Sequence, residues 1–339
     1  MLTNVKILVV GATGKVGREM LSVLLEYGVN PDSITAAASI RSAESVVSVR
    51  DKCFEVLDAS GLDFSEYQLA LFSAGSEISR VLVPEAIKRG CWVIDNSSHF
   101  RMNDDVPLII PEVNFVDLGM YRNHKLIANP NCSTIQMVMA LKPLHDIFIL
   151  DEIVVSTYQS VSGAGQKGVE ELKLQSDNIL RDRKSIPKYF KKQIAFNVIP
   201  QIDVFTDSSY TKEELKMMNE TKKILNLNDA KITATCVRVP VFIGHAVSIF
   251  AKFKKRVDLA TATTALNNFT GITVADQENY ATPIDSAGLD DVFVSRIRKH
   301  PSDQNALSFW CVSDNLRKGA ALNAVQIAIN LKKSDFFNN

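Results

Sequence analysis

The chain has 339 residues, a length that suits two domains of ordinary size and a full hydrophobic core. Hydrophobic residues make up 46% of it and charged residues 22%, which excludes long disordered or low-complexity regions. The 38 basic and 38 acidic residues cancel, so no overall field attracts the chain to nucleic acid or to an anionic membrane. Any anion that it binds must be held by a local site.

The cysteines disfavour both a disulfide framework and a zinc site, because they are odd in number, far apart and free of C-x-x-C pairs. We therefore expect reduced thiols, no metal and a cytoplasmic location. The N-terminal segment lacks a basic leader, and no run of about 18 apolar residues occurs, so neither export nor a membrane span is expected. The five cysteines are Cys53, Cys91, Cys132, Cys236 and Cys311.

The first third of the chain alternates strand and helix patterns. Residues 5–10 form an apolar, β-branched run that ends in a glycine turn, and apolar residues follow at helical spacing. Strands separated by helical crossovers predict an α/β domain with a doubly wound, Rossmann-type parallel sheet. The further predicted elements are strands at 34–38, 54–57, 69–72 and 92–94 and a helix at about 77–89.

From about residue 151, longer strand patterns dominate and predict an α+β domain with a mainly antiparallel sheet. The Ala-rich stretch 316–331 has one apolar face, and we expect this helix to pack back on the first domain. The predicted domains are thus 1–130, 131–314 and a C-terminal segment, 315–339. The strand patterns of the second domain lie at 153–160, 232–241, 246–253, 292–298 and 307–312.

The glycine turn has the spacing Gly11-x-x-Gly14-x-x-Gly17. Glycines at such a turn let the backbone approach a pyrophosphate at the N-terminus of the following helix. The alternative is a tight strand-to-helix turn with no ligand. The strand before the turn and the helix after it favour a dinucleotide site.

The second predicted strand ends in Ser39-Ile40-Arg41-Ser42. An NAD site usually has an acidic residue at this place, which accepts a hydrogen bond from the ribose 2′-hydroxyl. A guanidinium flanked by two hydroxyls suits a 2′-phosphate instead, so the sequence favours NADP. The alternative is that Arg41 is a solvated loop residue.

Cys132 is the best candidate for a nucleophile. Pro130 breaks the preceding strand, Asn131 is a suitable N-cap, and an apolar helical run follows Cys132. In the first turn of a helix, the dipole and the free N–H groups favour the thiolate. Most free cysteines are instead small buried hydrophobic residues. Cys91, Cys236 and Cys311 fit that description, and Cys53 fits it less clearly.

A thiolate nucleophile needs an acid/base partner. Among the histidines, His245 stands at a predicted strand-to-strand turn, directly after Gly244. Arg238 lies inside an apolar strand pattern, where an unpaired charge would be costly, so it needs an anionic partner. The partner is either a structural carboxylate or a substrate carboxylate, and the sequence does not separate the two.

Together these segments resemble the aspartate-β-semialdehyde dehydrogenase family over essentially the whole chain. Each motif is modest alone, but their order and separations make the resemblance specific. The motifs are Gly11-Ala12-Thr13-Gly14-x-Val16-Gly17, Ser39-x-Arg41-Ser42-Ala43, Ser97-Ser98-x-Phe100-Arg101-Met102, Pro111-Glu112-Val113-Asn114, Asn129-Pro130-Asn131-Cys132-Ser133-Thr134, Gln159-Ser160-Val161-Ser162-Gly163-Ala164-Gly165, Arg238-Val239-Pro240 and Gly244-His245.

The resemblance implies NADPH-dependent reductive dephosphorylation of L-4-aspartyl phosphate to L-aspartate 4-semialdehyde, a step in the biosynthesis of lysine, diaminopimelate, threonine and methionine. Cys132 would form an acyl thioester, His245 would be the acid/base, and Gln159 would orient the acyl intermediate. Asn131 is grouped with these catalytic residues. The implied substrate ligands are Arg238 for the α-carboxylate, Glu213 for the amine, and Arg101 and Lys216 for phosphate.

The resemblance also implies cofactor contacts, a glyceraldehyde-3-phosphate-dehydrogenase-like second domain and a homodimer. Two alternatives stay open: N-acetyl-γ-glutamyl-phosphate reductase, which shares the thioester chemistry, and an inactive paralogue that binds ligands only. The implied NADP contacts are Gly11, Thr13, Gly14, Lys15, Val16, Ser39, Arg41, Ser42, Ser73, Gly75, Ser162, Gly163, Gly165 and Asn315.

Overall fold

The computed structural model describes residue 2 and residues 4–121, 124–334 and 336–338. Contacts divide the chain into two compact units. The first unit comprises Met1–Asn131 and Ala320–Asn339, and the second comprises Cys132–Gly319. Within the described residues, no helix is both long enough and apolar enough to cross a membrane.

The first unit contains a seven-stranded sheet with the order β3-β4-β2-β1-β5-β6-β7. All neighbours pair in parallel except β3 and β4, which form an antiparallel pair at one edge. The doubly wound parallel sheet expected from the sequence is confirmed. The sequence patterns missed β3, which has only four residues, whereas the strand expected before Pro130 is the three-residue β7. The strands are β1 (Ile7–Val10), β2 (Ile34–Ala38), β3 (Val46–Val49), β4 (Lys52–Asp58), β5 (Leu69–Phe72), β6 (Trp92–Asp95) and β7 (Leu126–Ala128).

The core of the first unit lies around β1, whose four residues are all buried. Helix α1 places Met20, Leu21 and Leu24 against it, and the C-terminal helix adds Ile327 and Leu331 to the same apolar cluster. Because β1 lies between β2 and β5, the strand order reverses there and leaves a crevice at the carboxyl ends of the strands. The helices are α1 (Lys15–Glu26), α2 (Ser76–Lys88), α3 (Pro111–Asn114) and the C-terminal helix (Leu322–Lys333).

The second unit contains a six-stranded sheet with the order β11-β12-β13-β10-β8-β9. The central pairs are antiparallel, whereas β8–β9 and β11–β12 are parallel. The sheet is therefore mixed, with an antiparallel centre. The strands are β8 (Leu150–Gln159), β9 (Lys231–Arg238), β10 (His245–Phe253), β11 (Ile272–Val274), β12 (Val292–Lys299) and β13 (Ala306–Ser313), and the helices are α4 (Cys132–Phe148), α5 (Gln166–Leu180), α6 (Lys212–Leu225), α7 (Leu259–Asn267) and α8 (Pro283–Ser286).

Helix α4 is the central helix of the second unit. It packs against β10, β13, α6 and α7, and its residues from Ile135 to Leu141 are all buried. A helix that is apolar all round is stable only when it is enclosed by other elements. The position of its first residue, Cys132, is therefore fixed by the packing of the whole helix.

Candidate active site and nucleotide pocket

The glycine turn of the first unit is held by close approach of main-chain atoms. Gly11 has a φ of +91°, and a Cβ at this position would lie 2.5 Å from the carbonyl oxygen of Ser73. A Cβ at Gly17 would lie 2.1 Å from the carbonyl oxygen of Gly11. Only glycine permits both approaches, which bring the end of β1 against the start of α1 and the end of β5.

A cavity of about 400 Å³ lies at the carboxyl ends of β1, β2, β4 and β5. Its volume falls within the range of small-molecule and cofactor sites, and it lies at the point where the strand order reverses. The glycine turn supplies one wall, so the residues fit the phosphates and adenosine of a dinucleotide. The predicted contacts among the lining residues are Gly11, Thr13, Gly14, Ser39 and Ser73.

Other predicted cofactor residues are close in sequence to the residues that line this cavity. Lys15 and Val16 begin α1, and Gly75, with a φ of +88°, directly precedes α2. Arg41 and Ser42 follow Ser39 in a short 3-10 turn, and Arg41 is exposed. The sequence reasoning missed Asp58, a lining residue at the end of β4 whose carboxylate accepts hydrogen bonds from Ser60.

Arg101 belongs to a buried polar network of the first unit. Its Nη2 donates to the carbonyl oxygen of Asn96 at 2.8 Å, and the side-chain amide of Asn129 donates to Asn96 Oδ1 at 2.6 Å. Asn323 on the C-terminal helix donates to Asn129 Oδ1 at 2.7 Å. Asn131, the last residue of this part of the unit, is also buried. The network therefore fixes the chain just before Cys132.

Cys132 is the first residue of α4, as the capped pattern predicts, and it is partly exposed. Its Cβ is in close contact with Gly319, because a Cβ on that glycine would lie 2.9 Å from it. The N–H of Gly319 donates to the carbonyl oxygen of Asp314. The sequence patterns did not single out Gly319, because its close contact with Cys132 is visible only in the structure.

The other cysteines have different environments. Burial raises the pKa of Cys91 to about 12 and also raises the pKa of Cys236 and Cys311. These three thiols are thus inert buried groups, as expected. Cys53 is exposed, contrary to a buried role.

Strand pairing places three predicted site residues side by side. Gln159, at the end of β8, is in register with Arg238 at the end of β9 and with His245 at the start of β10. Ser313, at the end of β13, is in register with His245 on the other side. These four residues form a row across the ends of four neighbouring strands, which we call the active-site row.

Arg238 is buried and its Nη1 donates to the carbonyl oxygen of Ser160 at 2.8 Å. Burial lowers the pKa of this guanidinium, and the nearby carboxylate of Glu213 opposes that shift. Among the described residues, no carboxylate lies within ion-pair distance of Arg238. The remaining N–H groups of its planar fork suit a bound carboxylate.

Gln159 and Lys216 both contact Glu213. Gln159 Nε2 donates to Glu213 Oε1 at 3.1 Å, and Lys216 Nζ lies 3.1 Å from Glu213 Oε2 and 3.0 Å from Asp203 Oδ2. Burial lowers the pKa of Lys216, but Glu213 and Asp203 outweigh it and the net shift is upward. Glu213 and Lys216 both lie in the first turns of α6, whose N-terminus is stabilised by a capping box between Thr211 and Glu214.

His245 is completely buried, and burial, followed by the charge of Arg238, lowers its pKa to about 3. Its Nδ1 accepts a hydrogen bond from the main-chain N–H of Ser160 at 3.1 Å. Asn315 Oδ1 accepts from the N–H of Gly244 at 2.9 Å and from Ser162 Oγ at 3.1 Å. The imidazole is therefore neutral and held by a polar network.

The segment after β8 passes directly over the active-site row. A Cβ at Gly163 would lie 2.8 Å from His245 Nε2 and 3.1 Å from Arg238 Nη1, whereas Gly165, with a φ of +80°, precedes α5. Tyr189 Oη donates to the carbonyl oxygen of Ala164 at 2.9 Å. This segment is thus fixed above the row.

Two buried residues of α5 hold the chain that carries Tyr189, and the sequence reasoning missed both. Glu171 accepts the main-chain N–H groups of Lys188, Tyr189 and Phe190. Gln175 Oε1 accepts those of Ile194 and Ala195, at 2.8 and 3.1 Å. A polar residue every fourth position on a helix is the only signal in the sequence, and it is a weak one.

Within the described residues, no group of His, Cys, Asp and Glu is arranged to hold a metal ion.

Comparison with protein families places the chain in a class of dehydrogenases. Residues 6–120 match the model described as "Semialdehyde dehydrogenase, NAD binding domain". Residues 141–318 match "Semialdehyde dehydrogenase, dimerisation domain". The chain therefore carries the nucleotide-binding and dimerisation domains of the semialdehyde dehydrogenases.

Its relatives define the family more closely. The aspartate-semialdehyde dehydrogenase of Bacillus subtilis is 47% identical over 338 residues, covering 96% of each chain. That of Aquifex aeolicus is 48% identical and covers 97% of this chain and 98% of its own length. A crystal structure of aspartate semialdehyde dehydrogenase II from Vibrio cholerae superposes with a TM-score of 0.94 at 44% identity, covering 97% of this chain and 98% of that one. A second structure of that protein, described as complexed with ASA, gives 0.93 at 43% identity, with the same coverage.

The chain thus belongs to the aspartate-semialdehyde dehydrogenase family and is an oxidoreductase. These relatives support the aspartyl reading of the sequence over the N-acetylglutamyl alternative.

Proposed function

We propose that the chain catalyses the NADPH-dependent reductive dephosphorylation of L-4-aspartyl phosphate to L-aspartate 4-semialdehyde. The observation that carries this proposal is the register of Arg238, Gln159 and His245 in one row, in the same compact unit as Cys132 at the start of α4. A nucleophile, a carboxylate-binding cation and a hydrogen-bonding imidazole together suit acyl transfer on a small amino acid.

Cys132 is the nucleophile in this proposal. The first turn of α4 is the positive end of the helix dipole, which favours a thiolate at Cys132. The thiolate sulfur attacks the carbonyl carbon of the acyl phosphate, phosphate leaves, and an acyl thioester results. The main-chain dipoles of this turn, with Asn131 beside them in the chain, stabilise negative charge on the carbonyl oxygen.

The substrate is held by the charged groups of the second unit. Arg238 binds its α-carboxylate through two parallel N–H donors, because the guanidinium has no ion-pair partner among the described residues. Glu213 binds the α-ammonium, and Gln159, which donates to Glu213, orients the acyl group. Lys216, kept charged by two carboxylates, and Arg101 provide positive charge for the phosphate group.

The first unit is the NADP-binding domain in this proposal, and NADPH supplies a hydride when bound. The glycine turn binds the pyrophosphate, and the cavity wall at Ser39 receives the adenosine ribose. Arg41 and Ser42 follow on an exposed turn, where a guanidinium and hydroxyls can bind a 2′-phosphate. Ser162, Gly163, Gly165 and Asn315 of the second unit complete the proposed cofactor contacts.

We further infer that the protein is a homodimer assembled through residues 141–318, which match the family's dimerisation domain. The five free cysteines fit a reducing compartment, and we assign the protein to the cytoplasm. We assign 131–314 as the catalytic and dimerisation domain and 315–339 as a C-terminal segment, of which Ala320–Asn339 belongs to the first unit.

The test is an assay of purified protein for phosphate-dependent reduction of NADP⁺ with aspartate semialdehyde. Cys132→Ala should lower kcat by at least about 10⁴-fold, because the nucleophile acts as a unit with its partners. Cys53→Ala removes an exposed thiol outside the site and serves as the matched control, with activity unchanged. Retained activity in Cys132→Ala would refute the proposal. A preference for N-acetylglutamyl semialdehyde would transfer it to the alternative enzyme.

A further inference from the structure

A long connection joins α5 to α6 in the second unit. Residues 181–211, all of them described, contain no helix or strand, and we call them the α5–α6 loop. Connections longer than about 15 residues within a compact unit are usually functional. In this loop Tyr189 Oη donates to the carbonyl oxygen of Ala164 at 2.9 Å. Further along, Ile199 exchanges two main-chain hydrogen bonds of 2.9 Å with Arg238, so the loop borders the active-site row.

Glu171 and Gln175, which lie one turn apart on α5, accept hydrogen bonds from the main chain of this loop, and we call them the acceptor pair. Glu171 accepts the N–H groups of residues 188–190, and Gln175 Oε1 accepts those of Ile194 and Ala195. Gln175 Nε2 also donates to Glu171 Oε1 at 2.8 Å, which leaves the amide oxygen facing the loop. Both side chains are buried, so the loop main chain is bonded to one buried face of α5.

Apolar packing holds the same part of the loop. Ile194 and Ala195 belong to a buried cluster that also contains Val161 and Leu172. Such contacts are non-directional, and they tolerate a small slip of the loop along α5. Hydrogen bonds to particular N–H groups weaken steeply when their angle or distance changes, so the acceptor pair fixes the register of the loop. The register decides where Tyr189 and the residues after it reach the active-site row.

We infer that Glu171 and Gln175 are positioning residues for the α-carboxylate of the substrate, and that they act through the loop and Arg238. The loop fixes the main chain of Arg238 through Ile199. It fixes the turn that covers the guanidinium through Tyr189. The inference rests on the proposed function, in which Arg238 binds the α-carboxylate, and deepens it by naming the residues that hold that guanidinium in place.

The guanidinium of Arg238 has little freedom between its neighbours. Its Nη1 donates to the carbonyl oxygen of Ser160 at 2.8 Å, and a Cβ built on Gly163 would lie 3.1 Å from the same nitrogen. A bidentate pair with a carboxylate requires two N–H groups in the plane of the two oxygens. A slip of the loop shifts both the Ala164 carbonyl group and the Arg238 main chain, and thereby breaks this alignment. Loss of the acceptor pair should therefore weaken substrate binding without removing a group that touches the substrate.

The direct test is hydrogen exchange of the full chain, followed by mass spectrometry, in Glu171→Gln. Glutamine has the same shape, but it lacks the charge and turns an NH₂ group toward main-chain donors. The peptide that covers residues 188–190 should exchange at least about 10-fold faster than in the unsubstituted chain, because charge-assisted hydrogen bonds are lost. Unchanged protection of this peptide would overturn the inference.

Glu170→Gln is the matched control on the same helix. Glu170 accepts an exposed hydrogen bond from Gln166 Nε2 at 2.9 Å, and this pair has the same spacing as the acceptor pair. Hydrogen exchange of the loop and the steady-state constants should therefore stay unchanged in Glu170→Gln.

Steady-state kinetics tests the consequence for the substrate. Glu171→Gln should raise the KM for aspartate semialdehyde by about 10-fold and change kcat by less than about 2-fold, because binding is weakened and no reacting group is removed. A fall in kcat with KM unchanged would mean that the acceptor pair serves the chemical step, and the inference would be wrong.

A double-mutant cycle with Arg238→Lys separates a positioning role from a general structural one. Lysine keeps the charge but has no planar fork to align. Beside Arg238→Lys, Glu171→Gln should raise KM by less than about 2-fold, because residues that act through one another are not additive. Fully additive effects would contradict the inference. Hydrogen exchange needs no turnover, and the cycle keeps Cys132, so both can fail while the Cys132→Ala assay supports the proposed function.

Discussion

The nucleotide cavity of the first unit and the active-site row of the second unit are built from different atoms. In the first unit, the glycine turn that forms one wall depends on close approaches of main-chain atoms, as at Gly11 and Gly17. In the second unit, long polar side chains meet at the ends of β8, β9 and β10. Hydrogen bonds hold them, from Gln159 to Glu213 and from Arg238 to the carbonyl oxygen of Ser160. A cavity made of backbone depends on the fold itself, whereas a row of side chains can lose its function while the fold remains.

Replacement of Gly11 by alanine should have the largest effect, and on folding. A Cβ there would lie 2.5 Å from the Ser73 carbonyl oxygen, and the φ of +91° disfavours any side chain. The combined strain should cost about 3 kcal/mol of stability and abolish measurable nucleotide binding. Thermal unfolding followed by circular dichroism, with NADP titration, measures both.

Gly14→Ala is the matched control in the same turn. Its φ is −74° and its Cβ would lie 3.3 Å from the Gly11 carbonyl oxygen. It should cost no more than about 1 kcal/mol, since alanine is only a poorer N-cap than glycine. An equal loss in both variants would show that the close approach at Gly11 is not what builds the cavity.

In the second unit, Gly163→Ala should damage chemistry and spare folding. Gly163 is exposed, but the added methyl would press on His245 Nε2 and Arg238 Nη1. We expect kcat/KM to fall by about 10²-fold, because displacements of this size misalign reacting groups. Steady-state kinetics and melting temperatures, measured for this variant and for the control Gly119→Ala, check the prediction.

Gly119 has no heavy atom within 4 Å of a Cβ built on it, so Gly119→Ala should leave both quantities unchanged. If Gly163→Ala instead lowered the melting temperature and left kcat/KM intact, the contrast between the two units would fail.

Arg41→Ala sharpens the comparison, because Arg41 is the charged side chain that we assign to the 2′-phosphate. Loss of a charge-assisted hydrogen bond should raise the KM for NADP by about 10-fold and leave that for NAD nearly unchanged. Arg50→Ala, which breaks a pair with Glu26 in the same unit, should change neither. An equal change for both cofactors would remove the 2′-phosphate assignment.

The smallest effect is expected from Thr211→Ala, which removes the capping box of α6. The loss should be about 1 kcal/mol of stability, with a KM for substrate raised about 2-fold because α6 carries Glu213 and Lys216. Asp258→Ala removes the N-cap of α7, which carries no site residue, and should match the stability loss alone. A KM change in Asp258→Ala would show that the effect is not local to α6.

Local patterns were enough for much of the fold. The predicted strand 34–38 and the strand 69–72 have the bounds of β2 and β5, because continuous apolar runs between turns are characteristic of buried parallel strands. The strand β3 escaped notice since alternate residues are exposed and it is short. The roles of Cys132, His245, Gln159 and Arg238 came from motifs and stay predictions.

The sequence by itself determined the class of fold, the glycine turn, the helix start at Cys132 and the family, since each is written in adjacent residues or in ordered motifs. Only the tertiary structure decided which residues face one another: that Arg238, Gln159 and His245 share a row, that Ser160 donates to the imidazole, and that Gly319 lies against Cys132. Strand register and close backbone approach arise from the packing of segments far apart in the chain, and no local pattern specifies them.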